Sequence, residues 1–258
     1  MQDSAPEREQ TTWNRLTAFY RRMARLELRV LFMLALVLGG LWAFFAIADV
    51  AVEEESHPLD TRLLLAMRNP EDSSDPLGPP WFEEMMRDIT ALGGTGVVAF
   101  ITLSTVGYLL IRRDYSTALL IIVAIAGAYA LSIGLKISFD RPRPDLVPRS
   151  TAVFNPSYPS GHSMLSAAAY LTLGAVLARV QAWRRLKIYI LSLAIVLTLA
   201  IGISRVYLGV HWPTDVLGGW AAGSVWAMLV WIVARWQRSR TRQPATGRRS
   251  RSTYRDAA

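Results

Sequence analysis

The sequence predicts an all-α fold, a bundle of six transmembrane helices. Three observations carry that expectation. Six apolar runs each approach the roughly 20 residues that a helix needs to cross the hydrocarbon layer. Hydrophobic residues make up 52% of the 258-residue chain, above the roughly 45–50% of soluble domains. The Lys and Arg residues behind the net charge of +8 gather in alternate connections, the pattern of loops that face the cytoplasm.

The first run spans Val30 to Ala48 and follows a charged segment, residues 1–28. It starts too late and runs too long for a cleaved signal core of about 7–15 residues, so a retained helix is expected. A long acidic connection comes next, with Asp49, Glu53, Glu54 and Glu55. Within it, Leu63 to Met67 and Trp81 to Ile89 read as short amphipathic helices lying along the outer surface. The remaining runs are Gly94 to Ile111, Ser116 to Leu135, Met164 to Val180, Ile188 to Ile203 and Val216 to Ala234. One membrane domain, residues 29–236, is therefore expected. The tail, residues 237–258, is rich in Arg, Ser and Thr and reads as a disordered basic segment. No internal repeat is visible. Trp42, Trp81, Trp183, Trp212, Trp220, Trp226, Trp231 and Trp236 read as interfacial or lipid-facing side chains.

Orientation follows from the basic residues. Arg15, Arg21, Arg22, Arg25 and Arg29 precede the first run. Arg112 and Arg113 join the second to the third, and Arg179, Arg184, Arg185 and Lys187 join the fourth to the fifth. Arg235, Arg238 and further arginines follow the sixth. Six spans put all four groups on one side, which places both termini in the cytoplasm. A bacterial inner membrane fits these flanks. Because the charge flanks apolar spans, nucleic acid is not an expected partner. The chain has no Cys, which excludes disulfides and thiolate metal sites.

Some cations break this pattern. Lys136, Arg141, Arg143, Arg149 and Arg205 fall on the outer side, where charge opposes the topology. A Lys or Arg at the membrane centre costs roughly 2.5–3.5 kcal/mol on insertion scales, less near the interface. An anionic ligand is the simple reason to keep them.

Three segments hold the chemistry: Lys136 to Pro144 (KISFDRPRP), Tyr158 to His162 (YPSGH) and Ser204 to Asp215 (SRVYLGVHWPTD). Lys136, Arg143 and Arg205 offer a point charge and two planar forks suited to phosphate oxygens. Ser160 and Gly161 stand where a helix starts, so free backbone N–H groups can bind an anion there. His162 and His211 can exchange protons near neutral pH. Asp215 follows His211 by four residues and can fix its tautomer, leaving the other nitrogen free to attack. This is the equipment for phosphoryl transfer with no metal and no cofactor. His57, beside the acid run, reads as part of a solvated turn. Asp140 and Asp145 read as loop charges. Tyr207 is expected either near the site or at the interface.

In order and spacing the three segments resemble the signature of the type-2 phosphatidic acid phosphatase family. Lys136 with Arg143-Pro144, Pro159 to His162, and Ser204-Arg205 with His211 and Asp215 fill its positions. The resemblance implies a membrane lipid phosphatase. His211 would be the nucleophile that becomes phosphohistidine, Asp215 its orienting partner and His162 the general acid. Lys136, Arg143, Arg205, Ser160 and Gly161 would hold the phosphate. Arg141, in a second Arg-Pro pair two residues early, would be an auxiliary contact. Undecaprenyl diphosphate, phosphatidylglycerol phosphate and phosphatidic acid are the substrates it implies, at the outer membrane face. A lipid phosphotransferase using the same nucleophile, and a lipid-phosphate transporter or scaffold without turnover, are the alternatives. The related vanadate-binding haloperoxidases fit less well, being soluble. Oligomeric state is not legible.

Overall fold

The structure is a computed structural model that describes residues 28, 31–52, 57–147 and 155–241, with side chains described to 235. The N-terminal segment, Glu53 to Glu55, Arg149 and the end of the tail lie outside the described residues. The helices are α1 (Leu31–Val52), then α2 (Pro58–Leu65), α3 (Pro80–Leu92), α4 (Thr95–Ile111), α5 (Tyr115–Phe139), α6 (Gly161–Val180), α7 (Arg184–Tyr207) and α8 (Pro213–Thr241). No strand occurs among the described residues. α1, α5, α6, α7 and α8 are each long and apolar enough to cross a membrane. α4 qualifies only together with α3, from which it bends by 47°. Counting that pair as one gives the six expected spans. α8 continues to Thr241, so the first residues assigned to the tail are helical.

Local chemistry sets the helix ends. Asp114 caps α5, accepting from the Thr117 N–H at 3.1 Å and its hydroxyl at 2.7 Å. Asp140 ends α5 in the left-handed region, φ 41°, which Asp tolerates better than most residues. Ser160 caps α6. Pro213 opens α8, where a missing N–H costs nothing. The bend between α3 and α4 falls at Gly93 and Gly94. A Cβ on Gly93 would stand 2.4 Å from Ile201 Cγ2, so the absence of a side chain lets the break nest against α7.

The lipid-facing character is plain from what stays outside. Phe100, Leu103, Ile111, Ile137 and Trp42 are largely exposed, a surface stable in hydrocarbon and costly in water. Inside the bundle, α6 packs against α5, α7 and α8. Apolar burial between helices is not a driving force in lipid, so close backbone approach and hydrogen bonds must hold the helices together. Gly219 and Gly223, four apart on α8, supply that approach. A Cβ on Gly223 would lie 2.3 Å from the Met164 carbonyl oxygen, and one on Gly219 would lie 2.7 Å from that of Ser160.

Of the tryptophans expected at the lipid boundary, one is buried and two are half-buried against neighbouring helices. Trp220 fills the notch at Gly202 and donates Nε1–H to the Thr198 carbonyl at 3.0 Å. Trp226 fills the notch at Gly127 and donates to the Ala124 carbonyl at 2.9 Å. Trp212 is buried beneath the outer loop. In each case a glycine notch or a carbonyl acceptor, neither visible in composition, recruits the ring.

The outer connection is also more embedded than a pair of surface helices. α2 starts earlier than expected, at Pro58, and buries Asp60 and Leu64. His57 caps it, accepting from the Leu59 N–H at 3.2 Å. Arg68 donates to the Tyr207 carbonyl at 2.7 Å, and the Tyr207 hydroxyl donates to the Leu77 carbonyl at 2.9 Å. Tyr207, packed edge-on to Phe82, therefore anchors this connection to the end of α7.

Gly223→Val should clash with α6 backbone that cannot yield. Overpacking of this kind costs about 1–3 kcal/mol or more. A lower thermal midpoint in detergent is expected, and an unchanged midpoint would contradict the α6–α8 contact.

Candidate active site

The helices bring their functional ends to one side. Lys136 lies in the last turn of α5 and Arg205 in that of α7. Gly161 and His162 open α6, and Asp215 lies in the first turn of α8. Arg143 comes from the extended segment after α5, and His211 from the turn between α7 and α8. The basic turns at Arg112–Arg113 and Arg179–Lys187 sit at the opposite helix ends.

A cavity of about 400 Å³ opens among these ends, lined in part by Lys136, Arg143, Gly161, His162, Arg205 and His211. That is within the range of small-ligand sites. Six of the eight residues expected in the site thus share one cavity. Asp215 stands behind it, fully buried. Ser160 is placed differently. Its hydroxyl accepts from the Ser163 hydroxyl at 3.0 Å and caps α6, while its N–H donates to the Asp215 carbonyl at 2.9 Å. It fixes the helix start, and Gly161 presents that start to the cavity. A Cβ on Gly161 would meet Ser132 Oγ and the Lys136 Cε at 3.5 and 3.6 Å, so Gly161 is at ordinary contact distance from the Lys136 side chain.

His211 is held at Nδ1 by two partners. Asp215 Oδ2 lies 3.2 Å from its Nδ1, and Ser157 Oγ lies 3.3 Å away. Asp215 Oδ2 also accepts from the Trp212 N–H at 2.9 Å and from the Ser157 hydroxyl. With Nδ1 protonated toward the carboxylate, Nε2 carries the lone pair. Nε2 lies 3.1 Å from Arg143 Nη1, so the imidazole and the guanidinium fork are adjacent. Burial, reinforced by Arg143, Arg205, Lys136 and His162, drives the His211 pKa well below that of free imidazole. The neutral form of the ring is thereby favoured over the charged one.

The cations are aimed by their own contacts. Arg143 donates through Nε to the Asn155 carbonyl at 2.8 Å, through Nη2 to Asn155 Oδ1 at 2.7 Å and through Nη1 to the Val210 carbonyl at 2.6 Å. Lys136 donates to the Pro156 carbonyl. Arg205 donates Nη1–H to Thr90 Oγ1 at 3.0 Å, while its buried Nε has no partner among the described residues. His162 stands against the α3–α4 break, its Nε2 3.7 Å from where a Cβ of Gly94 would be.

Arg141 takes a position other than a phosphate contact. It is buried and pairs with Asp215 Oδ1 at 2.7 Å and Asp60 Oδ2 at 2.9 Å. Arg141 was expected as an auxiliary contact, whereas Asp60, Ser157, Asn155 and Thr90 carry no expectation from the sequence. The doubled Arg-Pro pair was the one signal for Arg141. Asp60 lies 155 positions before Asp215 in the numbering, in a short helix with no chemical pattern around it, so nothing local announces it. Among the described residues no group of His and acidic side chains could hold a metal ion.

In sequence and fold the chain is similar to known proteins. A family model described as the PAP2 superfamily matches residues 117–239. Phosphatidylglycerophosphatase B of Bacillus subtilis is 35% identical over 154 residues, covering 58% of this chain and 74% of that protein. An undecaprenyl-diphosphatase of Sulfolobus acidocaldarius is 40% identical over 68 residues, 26% of this chain and 29% of that protein. The crystal structure of a transmembrane PAP2 type phosphatidylglycerolphosphate phosphatase from Bacillus subtilis superposes with a TM-score of 0.64 at 27% identity. It covers 83% of this chain and 98% of the other.

The lowered pKa of His211 has a direct consequence. As pH falls through about 6.5, free imidazole takes up a proton, but His211 should remain neutral until a lower pH is reached. An NMR titration of labelled imidazoles should show this, and protonation of His211 at or above the free-histidine value would contradict its surroundings.

Proposed function

Because the chain belongs to the PAP2 superfamily, we propose that it is a multi-pass membrane phosphatase that hydrolyses a lipid phosphate or diphosphate through a phosphohistidine on His211. One observation carries the reading: Nε2 of His211, whose Nδ1 faces Asp215, lies 3.1 Å from the Arg143 fork in a cavity shared with Lys136, Arg205 and His162.

The substrate phosphate binds among Lys136, Arg143, Arg205 and the N–H of Gly161. These groups balance the charge of the phosphate oxygens in the transition state, the part a metal plays in many phosphoryl-transfer enzymes. The Nε2 lone pair of His211 forms a bond to phosphorus as the bond to the leaving oxygen breaks. His162 gives its proton to that oxygen. Asp215 keeps the proton on Nδ1 and offsets the positive charge of the phosphorylated ring. In the second half, His162 takes a proton from water, the resulting hydroxide attacks phosphorus, and inorganic phosphate leaves with His211 restored.

A lipid is the substrate that this placement favours. The phosphate site lies at the helix ends, the depth of a lipid head group, beside a lipid-facing surface. Phosphatidylglycerol phosphate, undecaprenyl diphosphate and phosphatidic acid are the candidates, because the cavity's cations address the phosphate they share. With the basic turns on the opposite side, the positive-inside rule puts both termini in the cytoplasm and the cavity at the outer face of a bacterial inner membrane.

Purified protein should release phosphate from at least one of these lipids. His211→Ala should bring release to background while the protein still folds; continued turnover would exclude it as nucleophile. His162→Ala should slow turnover by about 10²–10⁴-fold, and less so for a leaving group that needs no protonation. Chelators should leave activity intact, and vanadate, which imitates five-coordinate phosphorus, should inhibit. Loss of activity on chelation, restored by a divalent cation, would contradict the metal-free mechanism.

A further inference from the structure

The feature least explained by phosphate binding is a buried line of charge behind His211. Asp60, Arg141 and Asp215 are all shielded from solvent. Arg141 spans the two carboxylates, Nη1 to Asp215 Oδ1 at 2.7 Å and Nη2 to Asp60 Oδ2 at 2.9 Å. Asp60 also accepts from the Thr214 N–H at 2.9 Å and from its hydroxyl at 2.5 Å, and Arg141 Nη1 donates to that hydroxyl at 2.7 Å. Asp60 meets donors on both oxygens, the arrangement of an ionised carboxylate.

An Arg141–Asp215 pair alone would be neutral. It would orient His211 but contribute little against positive charge on the ring. Asp60 changes that sum, because two carboxylates and one guanidinium leave one net negative charge. All of it lies on the Nδ1 side of His211, while Lys136, Arg143 and Arg205 lie on the cavity side. Phosphorylation at Nε2 makes the ring cationic, so the excess negative charge acts where positive charge develops.

We infer that Asp60, carried on α2 in the connection between the first two spans, is a positioning residue that restores the negative charge of Asp215 through Arg141 and so sets the nucleophilic strength of His211. The inference rests on the phosphohistidine reading above. It also gives α2 a function: its docking completes the charge relay.

The test uses full-length protein in detergent, with turnover on the best lipid phosphate and affinity for vanadate measured together. D60N keeps the shape and removes the charge. It should lower kcat by about tenfold to a hundredfold, the range typical of outer partners of site histidines, with KM and vanadate affinity changed by less than about twofold. R141Q should also lose turnover, since it leaves two unbridged carboxylates. D60N/R141Q, which regains the wild-type relay charge, should turn over faster than D60N. A residue that merely fills space would give a double variant no better than either single one, and that result would overturn the inference. Full turnover in D60N would do the same, as would parallel loss of kcat and vanadate affinity. Should D60N not accumulate, the double variant is compared with R141Q, and turnover at or below R141Q overturns the inference. H211A run in parallel separates the two claims. If H211A is active, the phosphohistidine reading fails; if H211A is inactive and D60N is fully active, only the role of Asp60 fails.

Discussion

The rest of the structure depends on the hydrogen bond between Asp215 and His211, because it lies on the border between two buried charge systems. On one side of the imidazole stand Lys136, Arg143 and Arg205. On the other stand Asp215, Arg141 and Asp60. Burial makes each charge expensive unless it is paired or hydrogen-bonded. The fold meets that demand with backbone carbonyls for Lys136 and Arg143, a hydroxyl for Arg205 and the shared guanidinium for the carboxylates. What remains is a directed field across one ring, on which the proposed phosphoryl transfer to Nε2 rests.

Packing serves this border. Gly219 and Gly223 let α8 approach α6, so Asp215 at the start of α8 meets Ser160 at the start of α6 backbone to backbone. One contact therefore fixes Asp215 against the start of α6. Gly93 and Gly94 similarly bring the α3–α4 break against His162. Small residues here place chemistry as well as helices.

Much of this was legible in the sequence because it is written in strong local patterns. Spans are read from apolar length, and the cavity residues from three motif blocks whose spacing survives folding. The parts that escaped depend on distant partners. Trp220 and Trp226 read as lipid-facing until Gly202 and Gly127 are seen opposite them. Asp60 is an ordinary acid until Arg141 is seen to bridge it to Asp215. Ser160 stands in the right motif, yet the demand for a helix cap claims its hydroxyl. Arg141 shows the same limit, since spacing distinguishes it from Arg143 but says nothing of the carboxylates it joins.

His211 is the proposed acceptor of the phosphoryl group, and trapping the intermediate tests that most directly. Protein mixed with lipid carrying a labelled phosphate, then quenched within the first turnover, should hold label on His211 through a bond that is labile in acid and stable in alkali. Its rates of appearance and decay should match turnover. Label on another residue, or turnover that proceeds with none reaching the protein on that timescale, would contradict it.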